Sequence, residues 1–228
     1  MLRFYGQPKF NLDKTDKEPV GYELFIREQR GENWVLPDDF TASTPEQIAD
    51  LLMRTIAMLP EHVQLVSFNL EQCQFIDPAF TKAIAKVQAT TNVEIFTELT
   101  ERTDPNVTND QLYAAAQRFH AAHLLVCMDD VGTGDNTPEL VVALDDFIDE
   151  YKFALQNFRP FNHISEIKET IDYWYDMAEK HHKMLAIEGI ETAEDLATIQ
   201  EDYPCNLIQG YYTGRPFLMP ISSVTAAS

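Results

Sequence analysis

Seven short apolar runs in this 228-residue chain each meet a polar group of the kind that binds metals or moves protons. Val20-Gly21-Tyr22 leads to Glu23, Val66-Ser67-Phe68 to Asn69, and Val93 to Thr97 leads to Glu98. Leu124 to Met128 leads to Asp129-Asp130, a strand-like stretch surrounds Lys152, Met184 to Ile187 leads to Glu188, and Leu207-Ile208 to Gln209. From Glu23 to Gln209 the steps are 46, 29, 31, 23, 36 and 21 residues, against roughly 30 residues for a strand-helix unit. One functional group per strand end, once per unit, is how a barrel or a doubly wound sheet assembles a site.

Glu23, Asn69, Glu98, Asp129, Asp130 and Glu188 are all oxygen donors. Hard oxygen ligands without His or Cys select Mg²⁺, Mn²⁺ or Ca²⁺ over zinc or copper. Carboxylates crowded at one barrel mouth raise each other's pKa unless cations sit between them. The adjacent Asp129-Asp130 pair can both turn to the mouth at a frayed strand end, and a carboxylate shared between two ions is the mark of a two-metal phosphoryl site. Lys152 adds a positive donor suited to orienting an attacking water or balancing phosphate charge. Gly132-Thr133-Gly134 reads as a flexible turn beside the pair and lacks the Lys-Ser/Thr of a Walker A loop. Asp and Asn at strand ends also cap helices, so Asn69 and one of the two aspartates stay open between ligand and cap. Glu is a poorer cap, and three glutamates ending apolar runs favour one common site.

The elements that must carry these groups alternate between strand and helix from end to end, which predicts an α/β class with a mainly parallel sheet. Residues 2–10 and 19–28 read as two strands joined by the short polar turn Asp13 to Lys17, an antiparallel first pair. Thr44-Pro45-Glu46-Gln47 is a capping box with proline at the first helical position, and Pro60 ends that helix. Further helices are expected near 78–89, 109–122, 163–182 and after Thr192. The strands number eight, and residues 1–220 read as one barrel domain followed by a fraying tail, 221–228.

A formal charge of −20 excludes a basic nucleic-acid or membrane footprint, so neither DNA nor RNA is an expected partner. An acidic chain can still take an anionic substrate if divalent cations invert the local charge. Cys73, Cys127 and Cys205 form no pair spaced for a disulfide framework or a zinc site. No apolar stretch approaches a membrane span and no signal-peptide core opens the chain, so the cytoplasm is expected. His120, His123, His181 and His182 fall at helix ends, where a dipole-satisfying role is the better reading.

Eight segments, in order, resemble the EAL-domain family of cyclic di-GMP phosphodiesterases. They are Tyr5-Gly6-Gln7-Pro8, Gly21-Tyr22-Glu23-Leu24-Phe25-Ile26-Arg27, Phe68-Asn69-Leu70, Glu98-Leu99-Thr100-Glu101, Asp129-Asp130-Val131-Gly132-Thr133-Gly134, Lys152, Glu188-Gly189-Ile190-Glu191-Thr192 and Gln209-Gly210-Tyr211-Tyr212 with Pro216. The resemblance implies a TIM-like (β/α)₈ barrel with an antiparallel first strand and two Mg²⁺ or Mn²⁺ ions. It also implies hydrolysis of cyclic di-GMP to linear pGpG, and it implies a homodimer. Carried over, Glu23, Asn69, Glu98 and Asp129 would bind one ion and Asp129, Asp130 and Glu188 the other. Lys152 would position water, with Glu23, Asp129 and Glu188 completing the catalytic set. Arg27 would contact phosphate, with Gln7, Leu24 and Gln209 also lining the substrate site, while Glu101 and Glu191 would orient the ligands and the loop after Asp130. Four departures stand out: Leu24-Phe25 replaces Ala-Leu of the signature, Val131 replaces an aromatic, Asp135-Asn136-Thr137 replaces the usual Tyr-Ser-Ser, and Lys152-Phe153-Ala154 lacks the family's aspartate. Loss of that acid is expected to cost about 10–100-fold if it orients a ligand. The alternative reading is a catalytically impaired EAL domain that binds cyclic di-GMP or a protein partner.

Overall fold

The structure, a computed structural model, describes residues 1–12 and 18–223. The turn expected at 13–17 and the end of the expected tail, 224–228, lie outside the described residues. The chain opens with β1 (Leu2–Asn11) and β2 (Gly21–Arg30), paired antiparallel from Leu2↔Glu28 to Lys9↔Gly21. A short β3 (Asn33–Val35) then extends the outer half of β2. Next come α1 (Pro45–Ile56), β4 (Leu65–Leu70), α2 (Gln72–Ile76), α3 (Pro78–Gln88), β5 (Glu94–Leu99), α4 (Asn109–Ala121) and β6 (Leu125–Met128). The second half adds α5 (Pro138–Leu144), β7 (Glu150–Ala154), α6 (Lys168–His181), β8 (Met184–Glu188), α7 (Ala193–Asp202), β9 (Leu207–Ile208) and β10 (Phe217–Leu218).

The sheet closes. β2, β4, β5, β6, β7, β8 and β9 pair parallel in succession, and β1 seals the ring by pairing antiparallel with both β9 and β2. This is the expected eight-stranded barrel with an antiparallel first strand, with β3 and β10 added outside it. The capping signals act as read: Thr44 and Gln47 exchange hydrogen bonds at the start of α1, and Thr192 and Asp195 do so at α7. The helix start at 163 is a 3₁₀ turn, Ile164–Ile167, before α6. Within the described residues, Ile221 packs on the core, and the Ser222 amide and carbonyl bond the Arg54 carbonyl and guanidinium respectively.

Alternation along the strands sorts the barrel. Val66, Ile95, Val126, Phe153 and Ile187 face outward into the layer between strands and helices, where they meet helix residues such as Leu52 in the main core. Inside, the bottom of the barrel is an apolar floor of Val20, Leu65, Phe96, Cys127, Ala186 and Leu207. Successive inward positions above that floor are polar, so the strand period carries charged groups into the interior.

The loop between β6 and α5, expected as a flexible turn, is closed on itself and tied to neighbouring segments at Lys152 and Glu101. The Val131 amide donates to the Lys152 carbonyl (3.0 Å), the Gly132 amide to Asn136 (2.8 Å) and the Asp135 amide to Glu101 (2.8 Å). Buried Asn136 adds side-chain bonds to the carbonyls of Leu99 (3.1 Å) and Asp129. Gly134 sits at φ +49° with Glu101 O only 2.2 Å from where a Cβ would stand. Gly31, at φ +62°, faces open space. Both positions favour glycine, but only one is also sterically closed. Gly134→Ala is therefore expected to destabilise the fold by about 2–3 kcal/mol and Gly31→Ala by about 1 kcal/mol in urea unfolding. Equal losses would remove the steric argument.

Candidate active site at the barrel mouth

Glu23 does not end a strand, since β2 continues to Arg30, but its parallel pairing with β4 stops at Leu24. Lys152 is likewise mid-strand in β7, while Glu188 is the last residue of β8. Strand tilt and inward parity, rather than strand ends alone, bring these groups to a common level. They line a cavity of about 610 Å³.

Asn69, Asp129, Asp130, Lys152, Glu188 and Gln209 open onto this cavity together with Glu23. So do Gln7, Leu24, Arg27, Glu101 and Glu191. Glu98 alone of the expected set is absent from the lining; it is fully buried one layer down. Asp130 takes φ +48°, a left-handed turn that lets it and Asp129 both face the mouth. The capping alternative does not hold. Thr137 caps the helix after Asp130, and Glu71, not Asn69, stands at the start of α2.

Lys152 organises the carboxylates. Its Nζ lies 2.6 Å from Glu98, 2.8 Å from Asp129, 3.1 Å from Glu23 and 3.5 Å from Glu188. Burial alone would lower its pKa, but Asp129, Glu188, Glu23 and Glu98 push it well above the lysine range. The acids divide. Burial, with Glu98 nearby, raises Glu23 to about 7, and burial with Glu188 raises Asp130 to about 6. Burial also drives Asp129 well up. Glu98 goes the other way: burial works against its charge, but Lys152 and Lys9 outweigh it and hold it well below the carboxylate range.

Gln209 donates to Glu23 (2.7 Å) and to Gln7 (3.1 Å), which in turn donates to the Gly214 carbonyl (3.0 Å). Asn69 donates to Glu23 (3.1 Å). Gln156, which the sequence reading did not single out, donates to Glu188 Oε1. That contact comes four residues after Lys152, just past Ala154, which pairs in register with Glu188. Arg159 braces Glu191 (3.5 Å) and Asp195 (3.1 Å).

The donor set fits divalent cations. Asn69 Oδ1, Asp130 Oδ1 and Gln209 Oε1 are buried without a hydrogen-bond partner, and Asp129 Oδ1 stands close to Lys152 but off hydrogen-bonding geometry. Carboxylate oxygens of Glu101, Asp129 and Asp130 lie within 4.8 Å of one another. Five carboxylates, Glu23, Glu98, Asp129, Asp130 and Glu188, around one ammonium leave four formal negative charges, which two divalent ions balance. Around this core the cavity wall turns aromatic: Phe25, Phe40 and Tyr211 line it, with Arg102 over Phe40 (4.9 Å), Arg27 over Phe25 (5.8 Å) and Arg215 over Tyr211 (4.5 Å).

These shifts give the metal-free protein a pH dependence. Glu23 and Asp130 hold protons in the folded state above the ordinary carboxylate range, so they favour the fold at lower pH and cease to do so as pH rises through about 6 to 7. The stability from Glu98 is complete above the ordinary carboxylate pKa and is lost only in more acid solution. The melting temperature of EDTA-treated protein should therefore fall by a few degrees from about pH 5.5 to about pH 8. Added Mn²⁺ should restore it at the higher pH, and a melting temperature that rises over this range would contradict the assignment.

A family model described as the EAL domain matches residues 2–216. A curated relative, the probable cyclic di-GMP phosphodiesterase PdeG of Escherichia coli K12, is 26% identical over 179 residues, covering 77% of this chain and 34% of the relative. The chain thus spans about a third of that relative's length. Among solved structures, the PaMucR phosphodiesterase in complex with c-di-GMP superposes with a TM-score of 0.77 at 20% identity, over 96% of this chain and 92% of that one. The FimX EAL domain of Pseudomonas aeruginosa, bound to c-di-GMP, gives 0.74 at 21% identity over 94% and 90%. YkuI of Bacillus subtilis, in complex with c-di-GMP and calcium, gives 0.73 at 18% identity over 98% and 56%. These likenesses share the barrel. With the family match across nearly its whole length, the chain belongs to the EAL domain family.

Proposed function

We propose that this protein is a metal-dependent phosphodiesterase that hydrolyses cyclic di-GMP to linear pGpG. The observation that carries the reading is the ring of carboxylates around Lys152, set at a cavity large enough for a dinucleotide whose lining residues Asn69, Asp130 and Gln209 carry unpartnered oxygens. Glu23, Asn69, Glu98 and Asp129 would hold one Mg²⁺ or Mn²⁺, and Asp129, Asp130 and Glu188 a second. Such ions supply Lewis-acid stabilisation of the phosphate and a nucleophile at neutral pH.

This chain's own groups do the rest. The Lys152 ammonium sits at the centre of the ring, where it can orient the attacking water and offset charge that builds on the phosphoryl oxygens. Arg27 lies on the cavity wall to pair with a substrate phosphate. Gln209 and Gln7 hold one another and Glu23, so the same chain of amides fixes the acid and presents a polar edge to a base. Phe25, Phe40 and Tyr211 offer faces on which purines stack. Leu24, buried next to Glu23, also lines the cavity. Glu101 fixes the loop after Asp130 through its carbonyl bond to Asp135, and Glu191 is held by Arg159. Gln156 takes Glu188 as its partner where the family's aspartate is replaced by Ala154, which supports retained ligand geometry.

Purified protein with Mn²⁺ should convert cyclic di-GMP to pGpG, with EDTA abolishing the reaction. Glu23→Ala should lower turnover by about 10³-fold, and Gln156→Ala by about 10-fold through misplacement of Glu188. Tight binding of cyclic di-GMP with no pGpG would instead make the protein a binding module.

A further inference from the structure

One charged pair in the barrel lies outside this ring and has no part in the chemistry just described. Lys9 is on β1, two residues after Gln7 and on the same inward face. Because β1 runs antiparallel, that step carries it down into the barrel: Gln7 is level with Glu23, whereas Lys9 is level with Gly21. Its side chain is 1% exposed, and its Nζ lies 3.0 Å from Glu98 Oε1 and 3.9 Å from Glu150 Oε1. Glu150 is equally buried, at the start of β7, and neither of its carboxylate oxygens has a hydrogen-bond partner. They sit among the floor residues: Cys127 pairs in register with Glu150, and Leu65 with Gly21 opposite Lys9.

Two buried charges on an apolar floor are costly to the fold. Hydrophobic residues of similar size would fill the space without that cost, so the pair points to a task. Glu98 shows what it is. Lys9 takes its Oε1 and Lys152 its Oε2, so the carboxylate is clamped between a cation below and a cation above. Without Lys9 the lower oxygen would have no cation, and the side chain would be free to swing toward Lys152 with both oxygens.

We propose that Lys9 is a positioning residue that fixes Glu98 in the ring, and that Glu150 is the counter-charge that cancels Lys9. The cancellation preserves the four formal negative charges at the mouth. With Glu150 neutral, the Lys9 charge would reduce them to three and disfavour a second divalent ion. The part about Glu98 acting on the ions rests on the phosphodiesterase reading; the part about metal affinity can be measured without it.

The test uses Lys9→Met/Glu150→Gln, which removes the pair as a unit and leaves no unbalanced buried charge. Calorimetric Mn²⁺ titration should show affinity weakened about 10–100-fold, while circular dichroism and the melting curve show an intact fold. Turnover at saturating Mn²⁺ should stay within a few-fold of the parent, with the Mn²⁺ activation constant raised, a split that general loosening of the fold would not give. Should the double variant not fold, Glu150→Gln alone keeps the clamp on Glu98 and must still weaken Mn²⁺ binding several-fold through the unbalanced Lys9. Mn²⁺ affinity equal to that of the parent in the folded double variant, or in Glu150→Gln, overturns the proposal. If the parent binds Mn²⁺ but makes no pGpG, the phosphodiesterase reading fails and the calorimetry still decides the role of Lys9.

Discussion

The repulsion among Glu23, Glu98, Asp129, Asp130 and Glu188 is the constraint that the rest of the interior answers. Acids this close and this dry cannot all ionise without a cation among them. Lys152 supplies that cation from the middle of its strand, within 3.5 Å of four of them. The result is a ring in which the groups differ: Glu98 is held charged, while Glu23, Asp129 and Asp130 are pushed toward the neutral form. Such a ring has a standing demand for further positive charge, and divalent cations are the class of ligand that meets it.

The fold supports the ring through backbone rather than through bulk. The antiparallel β1 closes the barrel and delivers two inward groups at different heights, Gln7 at the mouth and Lys9 beneath it. The loop after β6 is anchored to the ends of β5 and β7, so the left-handed Asp130 is set by the same hydrogen bonds that fix Asp129. Arg159 ties the loop after β8 to the start of α7 through Asp195 and Glu191. Each anchor joins neighbouring strands at the mouth, which keeps the donor oxygens at fixed separations. Preorganisation of this kind is what electrostatic catalysis requires.

Much of this was legible in the residues. The capping boxes at Thr44 and Thr192, the helical stripes and the alternation of elements follow from local chemistry that a neighbour three or four residues away completes. The ring members were legible because each interrupts an apolar run, and a charge in such a run has an unusual reason to be there. Lys9, Glu150 and Gln156 were not. Lys9 and Glu150 sit in strands among many polar neighbours, and each gains its partner from a distant strand. Gln156 gains its importance only from facing Glu188, 32 residues away.

The sequence by itself determined the class of fold, the kinds of donor and the resemblance that carries a substrate, because strand and helix periods and side-chain chemistry are local properties. Tertiary structure alone decided depth. Barrel closure placed Glu98 under the cavity rather than in its wall, put Glu23 at the mouth although its strand runs on, and stacked Lys9 between Glu98 and Glu150. The physical reason is that height inside a barrel depends on register between strands far apart in the chain, and burial and pKa follow from that height.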